Sequence, residues 1–187
     1  GDKKGMATTL GNLGGNYQDM GDIKKSLEYQ ERSLKLKEEL GDKRGIAFSM
    51  VNLAVIYELE GEAEKAIEFF KISAEIRQEI NDKRGLGYSY INLGDMYQRA
   101  GNSELAMKYY QDAMEVRKEI DDKKGIAETT DRVADIYFTK GEYNKALSNP
   151  ELSLGFFEKI GDKIGMSGTL YARGRSYLFL GDIGKAK

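Results

Sequence analysis

Apolar and polar residues alternate along this chain with the period of an amphipathic α-helix. The first apolar stripe has spacings of four, three and four and consists of Met6, Leu10, Leu13 and Tyr17. The same spacing returns forty residues later at Ile46, Met50, Leu53 and Tyr57. A stripe of this kind is the face that a helix turns toward a core. The pattern therefore predicts a core-facing helix, helix A, at the start of each stretch of forty residues.

A second apolar stripe follows in each stretch and predicts a second helix, helix B. It consists of Leu27, Leu34 and Leu40 in the first stretch, and of Ile67, Phe70, Ile76 and Ile80 in the second. Asp2 stands where an N-cap oxygen accepts from free backbone N–H groups, and Gly21 stands where positive φ ends helix A. Gly41 and Asn81 both tolerate the left-handed conformation after helix B. Connections this short predict antiparallel neighbours.

The helix pair is repeated almost five times without an insertion. The capping aspartate recurs as Asp2, Asp42, Asp82, Asp122 and Asp162. The units are 1–40, 41–80, 81–120, 121–160 and 161–187, of which the last is incomplete. A fixed period of this size is typical of stacked repeats rather than of a globular enzyme. We therefore treat 1–187 as a single array whose function lies on a shared surface.

The composition removes several classes of function. The 29 basic and 31 acidic residues nearly balance, so no broad positive field favours nucleic acid. The chain has no cysteine and no histidine, which disfavours zinc sites and Ser-His-Asp or Cys-His catalysis. No apolar run reaches the ~18 to 20 residues that a membrane span needs. We expect a soluble, cytoplasmic, non-enzymatic chain with no catalytic residues, no cofactor, no metal and no membrane insertion.

Several residues at fixed positions resemble the signature of the tetratricopeptide repeat. They are Leu13-Gly14 before Tyr17, Leu93-Gly94 before Tyr97, Ala66 before Phe70, and Ala106 before Tyr110. The unit of forty exceeds the common 34, and it is similar to the long units of bacterial signalling proteins and of Pins/LGN-like adaptors. The resemblance implies an all-α, right-handed superhelical solenoid of antiparallel helix pairs. It also implies that helix A lines a concave groove that holds ligands.

A further set of apolar residues on helix A lies roughly opposite the core stripe. The set comprises Phe48, Val51, Val55 and Leu59 in the second unit, and Tyr88 and Ile91 in the third. One stripe suffices for packing, so the surplus indicates a partner-binding patch. The alternative is that these side chains pack sideways on the next helix A.

Asparagine precedes the Leu-Gly or Leu-Ala pair in three successive units, at Asn12, Asn52 and Asn92. An amide both donates and accepts, so such a ladder suits the backbone of an extended peptide. The resemblance implies the same role. The alternative, held equal, is a structural bond between neighbouring helices.

Acidic residues gather on helix A of the fourth unit. They are Glu128, Asp131 and Asp135, with Asp95 one unit earlier. Such carboxylates would attract a lysine or arginine of a partner. Arg99, Arg132 and Arg175 lie close enough in register to neutralise them, so an internal ion-pair lattice is an equal alternative. A divalent-ion site is a third alternative.

The fourth unit is unlike the others because Pro150 takes the place of the helix B aromatic. Asn149 is a candidate cap for a fresh helix with Pro150 at its first position, which would split helix B. The region is then either a degenerate repeat with a local bend, or a hinge or interaction edge. The leading interpretation of the whole chain is a scaffold that binds an extended peptide or a helix of a partner protein. The alternatives are an array that self-associates end to end, and a docking or sensor segment of a larger signalling protein.

Overall fold

The computed structural model describes the backbone of residues 1–148 and 150–186, with the side chains of all of these except 150–152. The described residues form α-helices and short connections, without a β-strand among them. The helices are α1 (Lys3–Asp19), α2 (Ile23–Glu39), α3 (Lys43–Leu59), α4 (Ala63–Glu79), α5 (Lys83–Arg99), α6 (Ser103–Glu119), α7 (Lys123–Thr139), α8 (Tyr143–Ser148), α9 (Pro150–Ile160) and α10 (Lys163–Phe179). The predicted all-α fold of successive helix pairs is confirmed.

The first helix of each forty-residue repeat starts at the same register. Helices α1, α3, α5, α7 and α10 begin at Lys3, Lys43, Lys83, Lys123 and Lys163. The carboxylate of Asp2 accepts a hydrogen bond of 2.8 Å from the backbone N–H of Gly5. The matching bond occurs at Asp42, Asp82, Asp122 and Asp162. Each carboxylate satisfies an N–H that has no partner inside its helix, so the predicted caps are confirmed.

The helices end on residues with positive φ. Gly21 has φ 77° and Gly41 has φ 62°, where glycine avoids the strain of a Cβ. Asn81 and Asp121 take the same left-handed conformation at φ 54° and 51°. Because the next cap follows at once, consecutive helices turn back on each other as the spacing predicts.

Above the level of the forty-residue repeats, the described chain forms two compact units, Gly1–Met96 and Tyr97–Lys187, which are called the first and second unit from here on. In the first, α1 packs on α2, α2 on α3 and α3 on α4. Lys3 Nζ lies 2.8 Å from a Glu39 carboxylate oxygen, which joins the start of α1 to the end of α2. The helices of a pair are therefore antiparallel. The core of this unit includes Leu10, Met50, Leu53, Ile56, Phe70, Leu86, Leu93 and Met96.

Helices α1 and α2 approach closely at Gly14. A Cβ on this residue would lie 2.8 Å from Nε2 of Gln30. The hydroxyl of Ser26 donates a hydrogen bond of 2.8 Å to the Gly14 carbonyl in the same contact. The buried glycine thus places the two helices close enough for a side chain on one to reach the backbone of the other.

Three residues of the predicted core stripes are exposed instead of buried. Met6 and Leu13 lie on the open side of α1, and Leu40 lies at the end of α2. Leu13 is 36% exposed, whereas Leu53 at the same register in α3 is 2% exposed. The reason is that α3 packs on both α2 and α4, whereas α1 packs mainly on α2.

In the second unit, α6 packs on α7, α7 on both α8 and α9, and α9 on α10. Its core includes Tyr110, Ala113, Val133, Ile136 and Phe157. Helix α8 ends at Ser148 and α9 begins at Pro150, at a position where the missing N–H of proline is tolerated. The expected cap Asn149 lies outside the described residues. Among the described helices, none is long and apolar enough to cross a lipid bilayer.

Candidate partner-binding sites

In the first unit, an open cavity of ≈ 580 Å³ lies between α1, α2 and α3. We call it the amide cavity; its lining is Gly11, Asn12, Gly15, Asn16, Gln18, Asp19, Gln30, Phe48 and Asn52. Asn12 is exposed, Asn52 is half-buried, and the Phe48 ring is 57% exposed. The structure therefore brings three of the residues singled out in the sequence around one surface.

Hydrogen bonds through Gln30 hold the amide of Asn52 in place beside the cavity. Its Nδ2 donates to Gln30 Oε1 at 3.3 Å, and Gln30 Nε2 donates to the Gly11 carbonyl at 3.0 Å. Asn52 thus takes part in the structural contact between α3 and α2 that was one of the two alternatives for the asparagines. The same bonds fix the orientation of an amide that borders the cavity.

The other predicted groove residues of the first unit differ in exposure. Val51 and Val55 on α3, and Asn92 and Asp95 on α5, are half-buried. Tyr88 on α5 is exposed. Ile91 is only 5% exposed, so the expectation that it offers an open apolar surface is wrong. Ile91 is a core residue of α5, and a charged side chain at this position would destabilise the fold.

Sequence reasoning missed a row of buried cations at one register of helix B. We call Lys37, Arg77 and Arg117 the cation ladder; each is buried in the last turn of its helix. Lys37 Nζ donates to the Ser49 hydroxyl at 2.7 Å. Burial lowers the pKa of the Lys37 ammonium, which the Asp42 carboxylate partly offsets. The exact spacing of forty residues was the signal that would have revealed the ladder.

The arginines of the ladder make the same contacts more fully. Arg77 Nη1 donates to the Gly85 carbonyl at 2.5 Å and to the Ser89 hydroxyl at 3.1 Å. Arg117 Nη1 donates to the Gly125 carbonyl and, at 2.8 Å, to the Thr129 hydroxyl. Each cation therefore ties helix B to the first turns of the following helix A.

In the second unit, a larger cavity of ≈ 730 Å³ borders α7 and α10. We call it the carboxylate cavity, since four carboxylates and three cations line it: Glu128, Asp131, Asp135, Asp162, Lys124, Arg132 and Arg175. The remaining lining consists of Gln98, Phe157, Ile164, Gly165, Gly168, Tyr171 and Ala172. Asp131 and Asp135, both singled out in the sequence, lie in this cavity.

Asp135 is engaged by other residues of the chain. Its carboxylate is paired with the Arg175 guanidinium and accepts a hydrogen bond of 2.7 Å from Gln98 Nε2. The guanidinium also lies over the Phe138 ring, 4.0 Å from its centroid. The internal ion pair that was the alternative for this acidic group is therefore present at Asp135.

Asp131 is in a different situation. Its Oδ2 accepts a hydrogen bond of 2.7 Å from the Thr169 hydroxyl, whereas its Oδ1 is buried and has no hydrogen-bond partner among the described residues. Burial raises the pKa of the Asp131 carboxyl, and the nearby hydroxyls of Thr169 and Ser153 and the charge of Arg132 oppose the rise. An ionised carboxylate here would be stabilised by a further donor. Within the described part of the chain, no group of three or more acidic side chains is arranged to hold a metal ion.

The family model described as Tetratricopeptide repeat matches residues 5–79 and 46–119, which together span more than half of the chain. The chain belongs to the tetratricopeptide repeat family. The resemblance found in the Leu-Gly, Tyr and Ala-aromatic positions is thereby confirmed. Tetratricopeptide repeats are in general protein-interaction modules.

Solved structures share the fold of this tetratricopeptide array. BtubC (BKLC) from P. vanneervenii is 22% identical with a TM-score of 0.85, over 95% of this chain and 74% of that one. A STAND protein with a tetratricopeptide repeat sensor from Pyrococcus horikoshii is 21% identical with a TM-score of 0.85, over 95% and 28%. Aspartyl phosphate phosphatase F from Bacillus subtilis is 17% identical with a TM-score of 0.86, over 98% and 49%.

At these identities the similarity shows the fold alone. The chain spans about half of the phosphatase and less than a third of the STAND protein, so it corresponds to one part of each. Among curated protein sequences, no significant match is found.

Proposed function

We propose that this chain is a protein-interaction module whose amide cavity holds an extended peptide of a partner protein. The observation that carries the proposal is the gathering of Asn12, Asn52 and Phe48 around one open surface of the first unit. Membership of a family of interaction modules supports the same role. The proposal needs no catalytic group, cofactor or metal.

The chemistry of the cavity favours an extended segment over a helix. Asn12 and Asn52 each offer a donor and an acceptor, which matches the alternating N–H and C=O groups of an extended backbone. A helix has already satisfied those groups internally, except at its ends. The Phe48 ring adds apolar area for one side chain of the peptide, and the hydrogen bond that Asn52 donates to Gln30 keeps the Asn52 amide oriented before binding.

Peptides selected from a random display library against the whole chain provide the probe. We expect Phe48→Asp to weaken a selected peptide about tenfold and Asn12→Ala to weaken it about fivefold, because each removes a contact worth roughly 1 kcal/mol. Isothermal titration calorimetry measures both effects, and circular dichroism checks that the helices remain.

Leu40→Asp is the matched control, since Leu40 is an exposed apolar residue of the same unit that does not line the cavity. Binding that survives Phe48→Asp and Asn12→Ala, or that falls equally with Leu40→Asp, would place the peptide elsewhere and refute the proposal.

Self-association is a second candidate, favoured by the exposed apolar surface of α10. Ile164 is 87% exposed, and Tyr171, Leu178 and Phe179 are exposed on the same helix. Exposed apolar groups of this number mark contact surfaces in many proteins. The occupant proposed for this surface is a second copy of the chain, in an end-to-end contact.

A docking or sensor role within a longer signalling protein is the remaining candidate. Its support is that the chain matches only a part of the STAND protein and of the phosphatase. A cytoplasmic location stays a prediction of the sequence.

A further inference from the structure

The fourth repeat departs from the others at the register of the cation ladder. Phe157 stands where Lys37, Arg77 and Arg117 stand in the first three repeats, and its ring is fully buried. A Cβ on Gly165 would lie 2.5 Å from that ring, so the aromatic side chain fills the space of the missing cation. The Thr169 hydroxyl, which matches the ladder's partner Thr129, therefore has no ladder cation to accept from.

A carboxylate appears at this same junction. Asp131 occupies the register of Val51 and Ile91, which are apolar. Its Oδ2 takes the hydrogen bond of the Thr169 hydroxyl at 2.7 Å. The junction before α10 thus carries a half-buried carboxylate where the earlier junctions carry a buried cation.

Small residues of α10 make room beside this carboxylate. Gly168 occupies the register of Phe48, Tyr88 and Glu128, and a Cβ placed on it would meet nothing within 4 Å. Ala172 occupies the register of the asparagines, and both residues line the carboxylate cavity. The cavity is therefore open because α10 lacks the side chains that other first helices carry there.

The charges around the cavity are unequally matched. Lys124 lies 3.3 Å from Asp162, and Arg175 is paired with Asp135. Glu128, in contrast, reaches Lys124 only at 3.9 Å and Arg117 only at 4.0 Å. Arg132, the third cation of the lining, attracts the Asp131 carboxylate. Asp131 and Glu128 are therefore the lining carboxylates that have no ion pair shorter than 3.9 Å among the described residues.

We propose that the carboxylate cavity binds an arginine side chain of a partner peptide, with Asp131 and Glu128 as its acceptors. A guanidinium has five donors in a plane, enough to reach two carboxylates at once. It also stacks on aromatic faces, and the exposed ring of Tyr171 lines the cavity. The inference rests on the proposed function, because it names a side chain that a bound peptide would present.

The test uses small probes that do not depend on the amide cavity. N-acetyl-arginine methylamide is titrated into the whole chain and compared with N-acetyl-citrulline methylamide, which has the same shape without the charge. Backbone amide resonances of Gly168, Thr169 and Ala172 report binding by nuclear magnetic resonance. We expect saturable shifts with arginine and affinity at least about tenfold lower with citrulline. Equal affinity for the two probes would overturn the proposal, and so would equal affinity for N-acetyl-lysine methylamide.

Two variants locate the site. Asp131→Asn keeps an oxygen for the Thr169 hydroxyl and removes the charge, so arginine affinity should fall at least about tenfold. Gly168→Phe introduces the side chain that the second repeat carries at this register and should abolish the shifts while the helices remain. Arginine binding unchanged by either variant would contradict the proposal.

Asn12→Ala, which alters only the amide cavity, should leave arginine binding as it is. Loss of selected-peptide binding in Asn12→Ala together with intact arginine binding supports both proposals. If Asn12→Ala leaves peptide binding unchanged while arginine binding still depends on Asp131, only the proposal for the amide cavity is refuted.

Discussion

The Thr169 hydroxyl donates a hydrogen bond of 2.7 Å to the half-buried carboxylate of Asp131. One repeat earlier, the hydroxyl of Thr129 accepts a bond of 2.8 Å from the Arg117 guanidinium. The same position of helix A thus meets a cation at one junction and an anion at the next.

The cation ladder should be a major contributor to stability in the second unit. Arg117→Ala removes the donor to the Gly125 carbonyl and to Thr129 and leaves a cavity, so we expect a loss of about 2–4 kcal/mol in the free energy of unfolding. Urea unfolding followed by circular dichroism measures it.

Arg117→Phe copies the residue that the fourth repeat uses, and it is the matched comparison. The ring should fill the space, and the Thr129 hydroxyl retains its bond of 2.7 Å to the Gly125 carbonyl. We expect this variant to be about 1–2 kcal/mol more stable than Arg117→Ala. Equal losses in the two variants would mean that Arg117 stabilises the fold through its hydrogen bonds and charge and not by filling space.

Stability should depend on pH through Asp131. Burial raises the pKa of this carboxyl above its ordinary 3.8, which means that the folded chain binds the proton more tightly than the unfolded chain. The resulting stability is fully present below pH 3.8 and is lost as the pH rises through the folded pKa. Asp131→Asn does not titrate, so its advantage over the natural chain should grow between pH 4 and pH 7.

Urea unfolding of both chains across this range gives the difference directly. Asp135→Asn is the control, because the Asp135 carboxylate is paired with Arg175 and its removal should destabilise the chain at neutral pH. A constant difference between Asp131→Asn and the natural chain at all pH values would show that the burial of Asp131 does not control its titration.

The N-terminus of α4 lacks the side-chain cap that α2 and α6 have at the same register. Glu62 occupies the N-cap position without a side-chain hydrogen bond, whereas Asp22 at the same register accepts from the Lys25 N–H at 3.1 Å. The carboxylate of the shorter aspartate side chain lies at the distance from the backbone N–H that an N-cap hydrogen bond needs. We therefore expect Glu62→Asp to stabilise the chain by about 0.5–1 kcal/mol in thermal or urea unfolding. Glu64→Asp, in the first turn of the helix but not at the N-cap position, should give no gain.

The exposed apolar surface of α10 should cause self-association that grows with protein concentration. Ile164→Glu with Tyr171→Glu places charge in this surface and should shift the chain toward the monomer. Light scattering coupled to size exclusion measures the mass. Glu substitutions at Met6 and Leu13 test whether α1 forms the other half of the contact. A natural chain that stays monomeric at every concentration would rule the contact out.

Much of the fold follows from the sequence because its determinants are local. The Asp2 carboxylate reaches an N–H only three residues away, and Gly21 needs only its own positive φ to end the helix. The forty-residue period multiplies these short-range signals. The helix pairs, their caps and their repeat register were therefore predictable residue by residue.

The sequence by itself determined the helices, the family and the shortlist of groups that face a partner. Only the tertiary structure decided which members of that shortlist are available. Phe48 and Ile91 both belong to the surplus apolar set, yet one is exposed and the other is buried, because burial depends on which neighbouring helix covers the position. Asp131 and Asp135 lie one turn apart, yet Arg175 forms an ion pair only with Asp135 among the described residues. Such pairings join residues about one repeat apart in the chain, and no local spacing rule contains them.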